Sequence, residues 1–288
     1  MASDMTHSAP LYKVTRNEDH SYVITTDKGT RLVPGVTTIK DEIGKPWLAG
    51  ATAKSLCMAL GAMAGPVGSK KPSWKNAVYL PDGLWKAGVA YTKDQIVQII
   101  DTARKGFGKK SDEAKDTGTR AHEWIEAAIS AEVMGIPVPK YPDDPEAAMA
   151  CQSWYTWRQA HEVEWYSAES IVASIKYGYG GTFDARGRVK GPVTGGVWKK
   201  FMGDWKTSKD MYDDYWLQFH AYLEAYREMT GDTDDYTLVG MRIPKDGKPA
   251  EWVEAPDWAT RDLCLSAFLG LRAVYDFSRA ADAAKEGY

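Results

Sequence analysis

Residues 179–208 read YGGTFDARGRVKGPVTGGVWKKFMGDWKTS. Both ends of this stretch carry strand signals, while KGPVTGG at 190–196 is rich in Gly and Pro and reads as a turn. Two consecutive strands are therefore predicted, near 179–189 and 199–208. Residues two apart on a strand share a face, so Asp204 and Lys206 look into one space while Trp205 looks the other way. Asp184 lies on the first of these strands. If the two strands pair as a hairpin, the carboxylates of Asp184 and Asp204 meet at the same end of the sheet. Two convergent carboxylates plus a backbone carbonyl make an oxygen-rich site suited to Mg²⁺ or Mn²⁺. The Lys206 ammonium would stand beside it, to orient or help deprotonate a water and to offset developing negative charge. Taken alone, an Asp-x-Lys triplet is more often an exposed ion pair on a hairpin, worth little to stability.

Working outward, WYSAESIVASIKYG (165–178) reads as a preceding strand, and EAAMACQSWYTWRQAHEV (146–163) as a helix before it. After the quoted stretch come a helix at 211–229, a strand at 235–244 and a closing helix at 258–285. This order predicts an α/β fold with a mixed central sheet flanked by helices. In the first half, residues 11–39 alternate like a small β meander, with turn signals at 17–19 and 27–29. A helix is expected at 47–60, then an irregular connection at 61–88 rich in Gly, Pro and Lys. Helices are expected again at 92–107 and from Gly118, separated by a charged joint, GKKSDEAKDTG (108–118). The expected division is a β meander with a helical elaboration over 1–115 and a core over 116–288.

Three further features bear on Asp184, Asp204 and Lys206. His122 and Glu126 are four apart on one helix and share a face, so an imidazole can join the carboxylates as a ligand; a lone helical histidine is more often a packing or surface residue. The spacing is not that of a zinc protease, since position 126 is Glu where H-E-x-x-H needs a second His. Gln218 and Tyr222 share a face in the same way, to hold a phosphate or base near the metal or, as the plainer reading, as a buried polar pair. Glu169 opens the strand ESIVAS, as a supporting carboxylate or as an edge-strand charge.

In chain order these are H-x-x-x-E (122–126), Glu169, G-G-T-x-D (180–184), D-x-K-T-S (204–208, DWKTS) and Q-x-x-x-Y (218–222). The ordered set resembles the PD-(D/E)XK nuclease superfamily in its RecB-like and phage-exonuclease branch. There a G-T-x-x-H helix, here 118–122, precedes two acidic strands, and a Q-x-x-x-Y helix follows D-x-K. The chain is also similar to the mitochondrial genome-maintenance exonuclease group, through DWKTS and VPGVTTIKDEIGKPWLAGATAK (33–54), with Gly35 where Ser is usual in that group. The resemblance covers about residues 116–226 well and 30–55 loosely.

It implies a restriction-endonuclease-like core and a Mg²⁺- or Mn²⁺-dependent DNA exonuclease of phage-type recombination, replication or repair. It further implies that Asp184 and Asp204 bind the metal, with His122 and the Trp205 carbonyl as further ligands. Lys206 is then the catalytic lysine, with Gln218 and Tyr222 supporting the site or the substrate backbone. The implied partner is DNA, single-stranded or duplex with a free end. A homo-oligomer or a recombination or single-strand-binding partner would be compatible. The 61–88 connection and its helices could gate a free strand end. The cysteines of the iron–sulfur members of this branch have no counterpart, and the phosphate loop G-x-x-x-x-G-K-[ST] of helicases is absent.

Bulk properties set the limits. A formal net charge of −3 excludes a generally basic surface as the route to nucleic acid, so any polyanion must meet a local patch. Arg186, Arg188, Lys190, Lys199 and Lys200 decorate the expected hairpin with no acid between Lys190 and Lys200. Arg120 leads into the His122 helix, and Ser208 follows D-x-K. These are the expected nucleic-acid contacts. Three distant cysteines (57, 151 and 264), no long apolar run and no secretory leader at the first residues suggest a reducing cytoplasm. The rival readings are an endonuclease on the same core, a non-catalytic nucleic-acid-binding module that keeps the fold, and an RNA-directed enzyme.

Overall fold

A computed structural model describes residues 10–43 and 93–286. The helix expected at 47–60 and the connection at 61–88 lie outside the described residues. The chain divides into two compact units, one formed by Met1–Ile43 with Gly118–Tyr288 and the other by Gly44–Thr117. The expected boundary near 115 is thus corrected at its N-terminal side, because the β meander belongs with the core.

The meander is a three-stranded antiparallel sheet of β1 (Lys13–Arg16), β2 (Tyr22–Thr26) and β3 (Gly29–Val33), followed by the short helix α1 (Val36–Lys40). It is tied to the second sheet and to the helix that carries Met229 by specific bonds. The Leu11 amide donates to the Met229 carbonyl at 2.8 Å, and the Tyr12 hydroxyl donates to that of Ala173 at 2.7 Å. Gly35 and Gly180 form a parallel bridge. A Cβ on Gly35 would stand 2.7 Å from the His20 carbonyl oxygen, so this backbone approach accounts for glycine there.

The long helix α2 spans Lys93–Met134 without a break. The joint expected at 108–118 is therefore a correction. The segment holds no proline, and a helical glycine costs only about 1 kcal/mol, too little to stop a helix of this length. Thr117 adapts to the helix interior by donating its hydroxyl to the Glu113 carbonyl at 3.0 Å. Helix α3 (Pro145–Gln159) starts sharply, because Asp144 accepts from the Ala147 amide at 2.7 Å and proline occupies the first turn.

The central sheet has the order β4-β5-β6-β7-β8, with β4 Glu162–Ser174, β5 Tyr179–Lys190, β6 Lys199–Lys206, β7 Thr237–Arg242 and β8 Glu251–Glu254. Strands β4, β5 and β6 pair antiparallel. Strand β7 runs parallel to β6, as a connection through helix α4 (Asp214–Thr230) allows, and β8 pairs antiparallel with β7. Helix α5 (Arg261–Glu286) closes the chain. The α/β class with a mixed, helix-flanked sheet is as the sequence predicts; the edge strand β8 is additional.

Helices cover both faces of the sheet. One core joins Phe183, Met202, Tyr222 and Phe268, which brings α4 and α5 onto the sheet; the other joins Ile125, Trp154, Phe201 and Trp205 under α2 and α3. Among the described residues, no helix is long and apolar enough to cross a membrane.

Candidate functional site

The pairing of β5 with β6 ends at Ala185↔Gly203. Beyond that point the ladder opens, and the Trp205 amide donates to the Asp184 carboxylate at 2.5 Å. On the other side, the β4–β5 register passes from Ala168↔Ala185 to Ser170↔Phe183 without the intervening pair. The residue left out, Glu169, has a left-handed φ of 44°. Alternation along β5 breaks here too. Phe183 and Arg186 pack toward α4, whereas Asp184 contacts His122 of α2 and Ala185 joins the α2–α3 core. The local break lets Asp184 turn its carboxylate along the end of β6 instead of across the sheet.

On β6 the alternation holds. Trp205 is buried in the α2–α3 core, while Lys206 forms an ion pair with Asp204 and reaches α4. There the ammonium stands 3.4 Å from Gln218 Oε1 and lies over the Tyr215 and Phe219 rings, 4.7 Å and 5.5 Å from their centroids. Gln218 Nε2 in turn donates to the Tyr222 hydroxyl at 2.5 Å. His122 Nδ1 is 3.4 Å from Asp184 Oδ1. His122, Asp184, Asp204, Lys206, Gln218 and Tyr222 all line one cleft of about 720 Å³, within a single compact unit.

Helix α2 approaches this end of the sheet closely. A Cβ on Gly118 would stand 2.8 Å from the Thr207 hydroxyl, so the G-T-x-x-H glycine seats the helix against the residue that follows D-x-K.

Burial and charge act against each other throughout the site. Burial pushes the Asp204 carboxyl up to about 6; the Lys206 ammonium opposes this and the neighbouring Asp184 charge adds to it. For Asp184 burial also acts upward, but His122, Lys206 and the Trp205 amide outweigh it and hold the group below the usual carboxylate range. Burial disfavours charge on His122 and on Lys206. Asp184 overcomes this for His122 and Asp204 for Lys206, so both bases are raised. Burial holds the Tyr222 phenol well above its ordinary value, and it stays neutral.

Among the described residues, no group of three or more His, Cys, Asp or Glu side chains is gathered tightly enough to enclose a metal ion. The donor chemistry nevertheless fits a hard divalent cation. Asp204 is 5% exposed, and its buried Oδ2 is held by the Lys206 ammonium in an ion pair. Two buried carboxylates beside an imidazole are the kind of donor set that Mg²⁺ or Mn²⁺ takes. Around the cleft, the carboxylates of Asp41, Glu42, Glu169, Asp184 and Asp204 outnumber the cations Arg16, Lys206 and Arg279. For Trp205, the amide engages the site through the Asp184 carboxylate.

The expected nucleic-acid contacts are not brought to the cleft. Arg186 is buried: it donates to the Tyr236 hydroxyl at 2.8 Å and lies over the Tyr226 ring. Arg188 makes a two-pronged pair with Glu164, and Lys190 pairs with Glu162 at 3.1 Å. Lys199 pairs with Glu254 at 2.9 Å, and Lys200 with Asp234 at 2.5 Å. The hairpin lacks acids along the chain, but neighbouring strands and loops supply them in space. Arg120 pairs with Asp144 at 3.3 Å, and Ser208 closes its own loop on the Asp210 carbonyl at 2.8 Å.

Conversely, Arg16, His20 and Arg279 line the cleft, although nothing in their local sequence marks them. The one available signal was the glycine-rich approach of residues 33–36 and 178–181, which joins the meander to the core.

No protein-family model matches the chain, and no curated protein matches it. The family reading rests on the order of the motifs and on the cleft they share.

Proposed function

We propose that the chain is a Mg²⁺- or Mn²⁺-dependent deoxyribonuclease with a restriction-endonuclease-like core, acting as an exonuclease on DNA ends. The observation that carries this reading is the meeting of His122, Asp184, Asp204, Lys206, Gln218 and Tyr222 in one cleft, from four separate elements. A structural ion pair would need only Asp204 and Lys206. It would not need an imidazole on one carboxylate, or an amide and a phenol lined up behind the lysine.

Asp184 and Asp204 would hold the ion, with His122 as a further ligand. When bound, the ion supplies Lewis-acid charge and a water of lowered pKa. The chain's own groups do the rest. The Lys206 ammonium keeps its proton and is fixed by Asp204, Gln218 and two ring faces, so its charge is preorganised for a phosphorane-like transition state. Because Tyr222 accepts from Gln218, its own proton is available to a phosphate oxygen. The excess of carboxylates in the cleft makes a metal-free approach of DNA unfavourable, which couples substrate binding to the ion.

The proposed setting is phage-type recombination, replication or repair in the cytoplasm. The test is cleavage of linear and closed-circular DNA, single-stranded and duplex, with Mg²⁺ or Mn²⁺. Digestion of linear DNA that stops with chelator and falls about 10²–10³-fold in Asp204→Ala supports the reading, a size typical of losing transition-state charge stabilisation. Cutting of closed circles at the same rate turns the exonuclease into an endonuclease. Metal-independent or absent cleavage overturns the proposal.

A further inference from the structure

We propose that Arg16, His20 and Arg279 form a second phosphate subsite, which grips the internucleotide phosphate next to the one held at the carboxylates. This rests on the nuclease reading above. All three residues line the same cleft as Asp184 and Asp204, from elements outside the strand-and-helix motif: Arg16 and His20 from the β1–β2 hairpin, Arg279 from α5.

Among the described residues, Arg188, Lys190, Lys199 and Lys200 of the β5–β6 hairpin are closed by carboxylates at 2.5–3.1 Å, Arg186 is buried against Tyr236, and Lys206 is held by Asp204. Among the described residues Arg279 makes no ion pair, and it lies over the Tyr275 ring, 5.3 Å from its centroid. Arg16 stands 3.9 Å from Glu169, a long contact between side chains that are 36% and 47% exposed. These guanidiniums are therefore held by carboxylates less closely than Lys206 is, and their planar forks suit phosphate oxygens.

His20 completes the set. Arginine can only donate, so in the 2.5 Å contact of Arg16 with His20 Nδ1 the imidazole accepts. Its proton is then on Nε2, which makes it a donor. The turn that presents it is closed by the Asn17 amide on the Ser21 carbonyl and the His20 amide on the Asn17 carbonyl, at 2.8 Å and 3.1 Å. The carboxylates Asp41, Glu42 and Glu169 share the cleft, so a strand whose first phosphate meets the metal-binding pair needs local cations for its next one.

The experiment is fluorescence anisotropy of a labelled oligothymidylate with Ca²⁺ in place of Mg²⁺, across a salt series. Arg16→Gln and Arg279→Gln are each expected to weaken binding about tenfold. Each should also flatten the slope of log K against log salt by about 0.7, the value for one lost single-strand phosphate contact. Arg16→Lys and Arg279→Lys should restore the slope. Lys200→Gln, whose partner is Asp234, should leave it unchanged. In cleavage, the two glutamine variants should raise KM and leave kcat alone. Unchanged slopes and KM in both, with a wild type that binds and cleaves, overturn the subsite and leave the nuclease reading standing. A wild type that binds no oligonucleotide overturns both.

Discussion

At the scale of single residues, the clearest division is between charges used by the fold and charges left for chemistry. Arg186 looks like a DNA contact in the sequence because its partners are 40 to 50 residues away in the chain. In space it is enclosed by Tyr226, Tyr236 and Asp232. Removing a buried cation from such a set costs about 3 kcal/mol. Arg186→Gln is thus expected to lower the urea midpoint without changing the salt dependence of DNA binding at low denaturant; an unaltered midpoint would refute this structural role. The chemistry-bearing residues were legible for the opposite reason. Asp204 and Lys206 are related by strand alternation, and Gln218 and Tyr222 by a helical turn, which are local geometries that a sequence states directly. Arg16, His20 and Arg279 were not, since only the docking of the meander and of α5 brings them to the cleft.

At the scale of elements, glycines set how closely the pieces approach. A Cβ on Gly181 would stand 2.3 Å from the Tyr222 ring and 3.1 Å from the Val36 side chain. Both are packed in the α4 core, so neither can withdraw cheaply. Gly181→Ala should destabilise the protein by about 1–3 kcal/mol through overpacking and reduce cleavage by shifting Tyr222 off Gln218. Thermal unfolding and single-turnover rates check this together, and a variant as stable and active as the parent would show that the contact yields. The same scale explains what the sequence pattern missed. Gly108 and Gly118 suggested a joint, yet the helix runs through them, because propagation of a long helix absorbs isolated poor formers. Strand β8 is only four residues long, and its antiparallel pairing with β7 defines it more than its own residues do. The strand-turn-strand of 179–208 was legible because its Gly and Pro cluster between two alternating runs.

At the scale of the whole molecule, a chain of net charge −3 is proposed to bind a polyanion. That is consistent only if a cation first neutralises the cleft, where carboxylates outnumber basic side chains. The break in the β5–β6 ladder, the burial of Asp204 and the seating of α2 on Thr207 all support the proposed site for a hard divalent ion beside a fixed ammonium. Calorimetric titration with Mn²⁺ tests that consequence most directly, because it needs no substrate. The account predicts saturable binding by the wild type, at least tenfold weaker in Asp204→Asn and unchanged in Arg188→Gln. Equal Mn²⁺ affinity in the wild type and Asp204→Asn would contradict it.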